Sequence, residues 1–136
     1  MPTANELSKR YGDMIVSASD TKESGLWLPS TFFMLNYTFG GGIPFGKILE
    51  VAGEESSGKS LIAYNFAYTT QQLGGHVIWV DAEQAWMNSW AQENGVDPNG
   101  VTVIRDTRIE NIADALADVA IYWRSQLTHN EPILLV

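Results

Sequence analysis

"VAGEESSGKS", Val51 to Ser60, ends an apolar run and passes at once into a glycine, a short acidic and hydroxyl stretch, a second glycine and a lysine. The order Gly53, four residues, Gly58, Lys59, Ser60 fits the phosphate-binding pattern G-x-x-x-x-G-K-[ST]. In such a loop successive backbone N–H groups turn inward around a phosphate, and the positive N-terminal end of the following helix adds to them. Glycine is needed where the backbone bends sharply or lies close to the ligand. Lys59 would bring a mobile charge to the β- and γ-phosphates of ATP, and the Ser60 hydroxyl would hold Mg²⁺. The expected contact set is Gly53, Glu54, Glu55, Ser56, Ser57, Gly58, Lys59, Ser60 and Leu61.

A pattern this short also occurs by chance, so its surroundings decide. A true loop of this kind follows a strand and opens a helix. Upstream, "KILEVAG" (Lys47 to Gly53) is apolar-rich and bounded by glycines, which predicts a buried parallel strand. Downstream, "KSLIAYNFAYTTQQLGG" carries Ile62, Phe66, Thr69 and Leu73 at helical spacing and stops at Gly74-Gly75. The competing reading is a glycine-rich turn with an exposed lysine. Motif and context agree, and that favours a nucleotide site.

Working outward, "TANELSKRYG" has Thr3 and Glu6 in capping-box positions, which predicts a short N-terminal helix. Residues 12 to 31 are mixed and resist assignment, and "FGGGIPFGK" reads as a glycine-proline turn. "HVIWV" predicts a second core strand. "AEQAWMNSWAQENG" predicts a helix capped by Asp81, with Gln84 three residues later and Gly95 near its end. "VTVIR" predicts a third strand. Thr107 and Glu110 form another capping box, opening a helix with Ile109, Ile112, Ala113, Leu116, Val119, Ala120, Trp123 and Leu127 on one face. "HNEP" turns the chain into "PILLV", a further strand. Alternating strands and helices predict an α/β fold, a parallel sheet wound with right-handed crossovers.

Composition sets outer limits. The 136 residues make one domain, large enough for a core but small for a complete nucleotide-driven machine. The absence of cysteine excludes disulfides, thiolate chemistry and zinc–cysteine sites. His76 and His129, at a strand start and a loop, read as surface or edge residues, not metal ligands. No stretch has the length of a membrane span and "MPTANELSKR" lacks the apolar region of a signal peptide, so a cytoplasmic location is expected. Eight basic against sixteen acidic residues give a net charge of −8, with the basic ones scattered beyond Lys9-Arg10. That argues against a broad nucleic-acid surface on this stretch itself.

The second strand runs out in "WVDAEQA", which sets Glu83 beside the phosphate loop at the carboxyl edge of the sheet, where ligands bind. A glutamate there can orient or deprotonate an attacking water. It reads equally as a solvated residue favoured by the dipole of a helix's first turn.

Taken together, "LPSTFFMLNYTFGGGIPFGKILEVAGEESSGKS", "VIWVDAEQA" and "ENGVDPNGVTVIRDTRIENIADAL" resemble the ATPase core of the RecA-like recombinases, bacterial and phage, from about Tyr11 to Val136. The resemblance implies a P-loop NTPase of RecA type, an ATP- and Mg²⁺-dependent enzyme that assembles on single-stranded DNA and promotes homologous pairing. It implies that Glu83 is the catalytic glutamate, acting with Lys59, and that Trp90 falls where the family has a tyrosine stacked on adenine. Trp90 departs in type but keeps an aromatic plane; a core aromatic on a short helix is the plainer alternative. Met87 falls where the family has an aspartate near adenine, which puts base selectivity in question.

In P-loop NTPases a strand like "PILLV" ends in an aspartate that helps to hold Mg²⁺. By resemblance the DNA-binding loops come later still. The resemblance implies residues 32–136 as the first half of a core, with an incomplete sheet, and residues 1–31 as a segment that docks on a neighbouring protomer; a frayed, partly ordered terminus is the plainer reading of residues 1–31. An uncovered strand edge and helix face favour a homo-oligomer or a chain carrying the second half. Hydrolysis by the isolated chain is expected to be negligible. A RecA-fold motor of another kind, such as a replicative helicase, and a non-catalytic nucleotide-binding module are the alternatives.

Overall fold

The computed structural model describes residues 25–136 together with Lys9 and Gly12. Apart from Lys9 and Gly12, residues 1–24, and with them most of the expected N-terminal helix, lie outside the described residues. A short antiparallel pair comes first, β1 (Trp27–Leu28) against β2 (Ile43–Pro44), with helix α1 (Phe33–Phe39) between them. Helix α2 (Lys59–Gln72) leads into β3 (His76–Val80). Then follow α3 (Asn88–Glu93), a 3-10 turn (Pro98–Gly100), β4 (Val101–Ile104), α4 (Ile109–Gln126) and β5 (Ile133–Leu135).

The sheet is parallel and three-stranded, in the order β4-β3-β5. Val77 faces Val101 on one side and Leu134 on the other. Parallel neighbours need a long crossover, and α3 and α4 supply the two. Successive side chains on a strand alternate between faces, and the sequence uses both. Val77 and Trp79 join Tyr64 and Ala67 of α2, Trp86, Ala91 and Val96 in the core on one face. His76 and Ile78 point the other way, where Trp123 of α4 stacks on the His76 ring at 3.6 Å between centroids. Val77 and Ile78 are fully buried, as befits the central strand of a sheet covered on both faces. The α/β expectation with a parallel, helix-wound sheet holds. Among the described residues no helix is long and apolar enough to cross a membrane.

Several local expectations need correction. Lys47–Gly53 forms no strand; it runs unpaired, with Ile48 99% exposed. Phe45 N–H donates to Leu26 O and Lys47 N–H to Pro44 O, so the segment leaves from the β1–β2 pair and not from an edge of the sheet. Leu73 is exposed; α2 buries Tyr64, Phe66, Ala67, Thr69 and Thr70 instead. The helix expected after Asp81 begins only at Asn88. Burial of Trp86 against Tyr64 and Trp79 pulls residues 82–87 off a helical path, and Gln84 takes a positive φ. Thr107 does not cap α4. Asp106 does the local bonding, accepting from Arg108 N–H and from the Asn111 amide. His76 is buried, not an edge residue. Ile109 and Ala113, placed on the inward face of α4, are exposed, while Ile112, Leu116, Val119, Ala120, Trp123 and Leu127 are half-buried.

The stretch that resisted assignment is tied to the core at its end. Asn36 exchanges hydrogen bonds with the Ser30 backbone, and Asn65 of α2 bonds to the Thr31 N–H and hydroxyl.

Candidate functional site

The segment between Gly53 and Gly58 is a tight curl that delivers the chain into α2. Ser56 and Gly58 both have positive φ, 60° and 91°. At Gly58 only glycine meets that conformation without steric cost. At Gly53 the constraint is space: a Cβ there would lie 2.6 Å from Ser57 Oγ. The glycines of the motif therefore each have a physical reason in this backbone. The two positive-φ residues flank Ser57, whose N–H donates to Glu54 O at 3.3 Å within the loop.

Helix α2 has no side-chain cap and no acidic residue in its first turn. Its leading N–H groups and partial positive charge are left for something that is not part of the helix. Lys59 Nζ donates to Gly53 O at 2.9 Å and to Glu54 O at 2.7 Å, so the ammonium lies folded across the loop mouth. Ser60 is exposed beside it.

Two adjoining clefts open here. The smaller, about 300 Å³, is lined by Ser56, Ser57, Gly58, Lys59, Ser60, Leu61 and Trp90. The larger, about 630 Å³, runs from Ser60 past Tyr64, Trp79 and Asp81 to Glu83, Trp86, Met87 and Trp90. Ser60 and Trp90 border both. Glu83 lines the larger cleft with Ser60 and Trp90, and Ser56 to Leu61 line the smaller with Trp90. Gly53 and Glu54 take part through their carbonyls, on Lys59. Glu55 is exposed and lines neither cleft.

Sequence reasoning missed the residues that shape the far wall. Asp81, 4% exposed, accepts from Ala85 N–H at 2.8 Å, Trp86 N–H at 3.1 Å and Arg105 Nε at 3.2 Å. Arg105, at the end of β4, also donates to the Trp86 carbonyl. This pair fixes the segment that carries Glu83. Burial, and after it the Asp81 charge, raises the Tyr64 hydroxyl pKa above its usual 10.0, so the phenol stays neutral. The arginine three residues into "VIRD" was the available signal, a charge directly after an apolar strand, but nothing local names its partner.

The sequence model of the RecA N-terminal domain matches residues 3–121. The chain belongs to the RecA N-terminal domain family. Protein RecA of Ruminococcus albus is 38% identical over 94 residues, 66% of this chain and 24% of that protein. Protein RecA of Clostridium beijerinckii is 43% identical over 79 residues, 56% of this chain and 22% of the relative. The chloroplastic DNA repair protein recA homolog 1 of Arabidopsis thaliana is 38% identical over 101 residues, 73% of this chain and 23% of its own length. This chain thus spans about a quarter of the length of the curated RecA relatives it matches.

Proposed function

We propose that this chain is the ATP-binding part of a RecA-like DNA recombinase, a DNA-dependent ATPase that promotes homologous pairing and strand exchange. The observation that carries the reading is the curled loop at the uncapped start of α2, with Gly58 at a positive φ that favours glycine. Family membership supports the recombinase assignment over other users of such a loop.

In this reading the loop N–H groups and the α2 N-terminus cradle the phosphates. Lys59 exchanges the neutral carbonyls of Gly53 and Glu54 for charged phosphate oxygens, a stronger class of hydrogen bond. Ser60 would hold Mg²⁺ through its hydroxyl. ATP supplies the phosphoanhydride bond that is cleaved, and Mg²⁺ neutralises charge on its phosphates. Glu83 orients water and takes its proton. Trp90 stacks on the base. Met87, 58% exposed, offers the base only apolar surface beside it.

Among the described residues no group of three or more His, Cys, Asp or Glu could hold a metal ion, and Asp81 is committed to Arg105 and two N–H groups. Ser60 is the metal-holding side chain that we assign, and in this reading residues 1–136 by themselves hydrolyse ATP negligibly. Single-stranded DNA is met through parts of the recombinase outside this acidic chain, or across an assembly. Residues 1–31 dock on a neighbouring protomer, residues 32–136 form the first half of the core, and the protein works in the cytoplasm.

The test is calorimetric titration of Mg-ATP and ADP into wild type and Lys59→Ala. Loss of a charge-assisted contact should cost about 1.5–3 kcal/mol of affinity. Unchanged affinity in a folded variant refutes the phosphate-site reading.

A further inference from the structure

Charge is spread unevenly along this acidic chain. None of its eight basic and sixteen acidic residues falls between Gly25 and Gly46, the stretch that forms β1, α1 and β2. Helix α1 turns one side inward: Leu35 and Phe39 are half-buried, and Asn36 bonds to the Ser30 backbone. At about 100° per residue, Phe33, Met34 and Tyr37 fall on the opposite side. Phe33 and Tyr37 are each 75% exposed and Met34 66%, and no residue of the helix is fully buried. The Phe33 and Tyr37 rings stack on each other with centroids 6.1 Å apart, so they form one surface. Phe32, just before the helix, is exposed as well.

Apolar side chains scattered singly need no explanation, but a grouped patch of several hundred Å² marks a contact surface. An aromatic side chain carries about 150–250 Å², so these four residues offer about 500 Å² per molecule. Two such faces together bury about 1,000 Å², the lower bound for a specific contact and the range of weak, reversible ones. The charge pattern selects the occupant. A basic partner is drawn to carboxylates, and exposed ones such as Glu110, Asp114 and Asp118 stand on α4, not here. A polyanion is repelled by the net charge of −8. Two copies of this chain repel each other as well, and least where neither contributes a charge.

We propose that the exposed face of α1 joins two copies of this chain in a weak, two-fold symmetric dimer, with Phe33 and Tyr37 of one copy packed on those of the other. The proposal is independent of the nucleotide reading, and the contact is separate from docking by residues 1–31. A two-fold contact uses the same patch on both copies and closes at two, so each substitution in it counts twice.

The experiment is sedimentation equilibrium of the full chain over a concentration series through the micromolar range. Wild type should dimerise with a dissociation constant on the order of 10–100 µM. Raising salt from about 0.1 to 1 M should tighten the dimer severalfold, because screening removes the repulsion between the two net charges and an apolar contact loses nothing by it. Phe33→Glu and Tyr37→Glu, whose carboxylates would be buried unpaired, should each weaken it more than about tenfold. Phe33→Ser repeats the test without an added charge, and circular dichroism checks the fold of each variant. A monomer throughout the series overturns the proposal; if that monomer binds phosphatidylcholine vesicles through Phe33, the face belongs to a lipid surface instead. A dimer that salt weakens overturns it too, since ion pairs then hold the copies together. Association unchanged by all three substitutions overturns it and leaves docking by residues 1–31 standing.

Discussion

Replacing Asp81 by alanine should cost more than replacing its partner Arg105, and the structure fixes the order. The Asp81 carboxylate is buried and accepts three hydrogen bonds, two from backbone N–H groups of the turn at residues 85 and 86. Its removal loses the bonds from Ala85 and Arg105, at about 0.5–1.5 kcal/mol each, and leaves the buried Trp86 N–H unpaired, at about 1–3 kcal/mol. Asp81→Ala should therefore cost about 2–6 kcal/mol, a large part of the about 5–15 kcal/mol that holds a domain folded. Arg105→Ala leaves the carboxylate its two backbone donors. The guanidinium side chain is 52% exposed, so water screens the pair. Its loss belongs nearer the exposed range of about 0–1 kcal/mol than the about 3–5 kcal/mol of a broken buried pair, and about 1–1.5 kcal/mol is expected.

Urea denaturation followed by tryptophan fluorescence reads both variants, because Trp86 packs on Tyr64 and Trp79. Raising salt from about 0.1 to 1 M shortens the screening length from about 10 to about 3 Å. That should shrink the Arg105→Ala deficit and leave most of the Asp81→Ala deficit in place. Equal costs for the two variants would show that backbone capping by Asp81 is not what holds residues 82–87, and the reasoning would fail.

Burial lowers the His76 pKa below 6.5, so as pH falls the unfolded chain takes up that proton first. Stability should hold above pH 6.5 and decline below it, through the depressed folded value; thermal melts at stepped pH read this, and His76→Phe should flatten the slope. Gly58→Ala, at φ 91°, should cost about 1–2 kcal/mol in urea unfolding and weaken Mg-ATP binding together. Phosphate release by residues 1–136 should stay at background with or without single-stranded DNA; robust DNA-stimulated release would count against the assignment of roles. Joined to the parts of RecA that this chain does not span, Glu83→Gln should abolish turnover and spare nucleotide affinity, read by the same release assay beside calorimetry.

What the sequence made legible was whatever depends on spacing along one element. The Gly53–Ser60 pattern fixed where the loop bends and where α2 starts, because φ at Gly58 and space at Gly53 are local facts. The apolar runs of β3 and β4, and the half-buried stripe of α4, follow from period as well. Long-range partners were not legible. Apolar "KILEV" states a need for burial without naming the neighbour that meets it, and Ile48 stands fully in solvent. Asp81 reads as a helix cap until Arg105, 24 residues on, draws near it, and Trp86 reads as one more residue of that helix until Tyr64 and Trp79 pack around it.

The same division runs through the site. Lys59 and Ser60 are placed by the loop and helix that hold them, so a motif finds them. Glu83 and Trp90 line the cleft while the segment from Ala82 to Met87 is held off a helical course, with Asp81 gripping its backbone and Trp86 sunk into the core. Had those residues formed the uninterrupted helix that their pattern predicts, successive side chains would have turned by about 100° each. Glu83 and Trp90, seven positions apart, would then have stood on one face about two turns from each other, and Trp86 with them. The tertiary pull on Trp86 instead separates the positions: that ring goes to the core, Trp90 to the border of both clefts, and Glu83 to the larger one. Position of the glutamate relative to the loop is thus a consequence of a buried tryptophan and a buried aspartate, neither of which belongs to the motif.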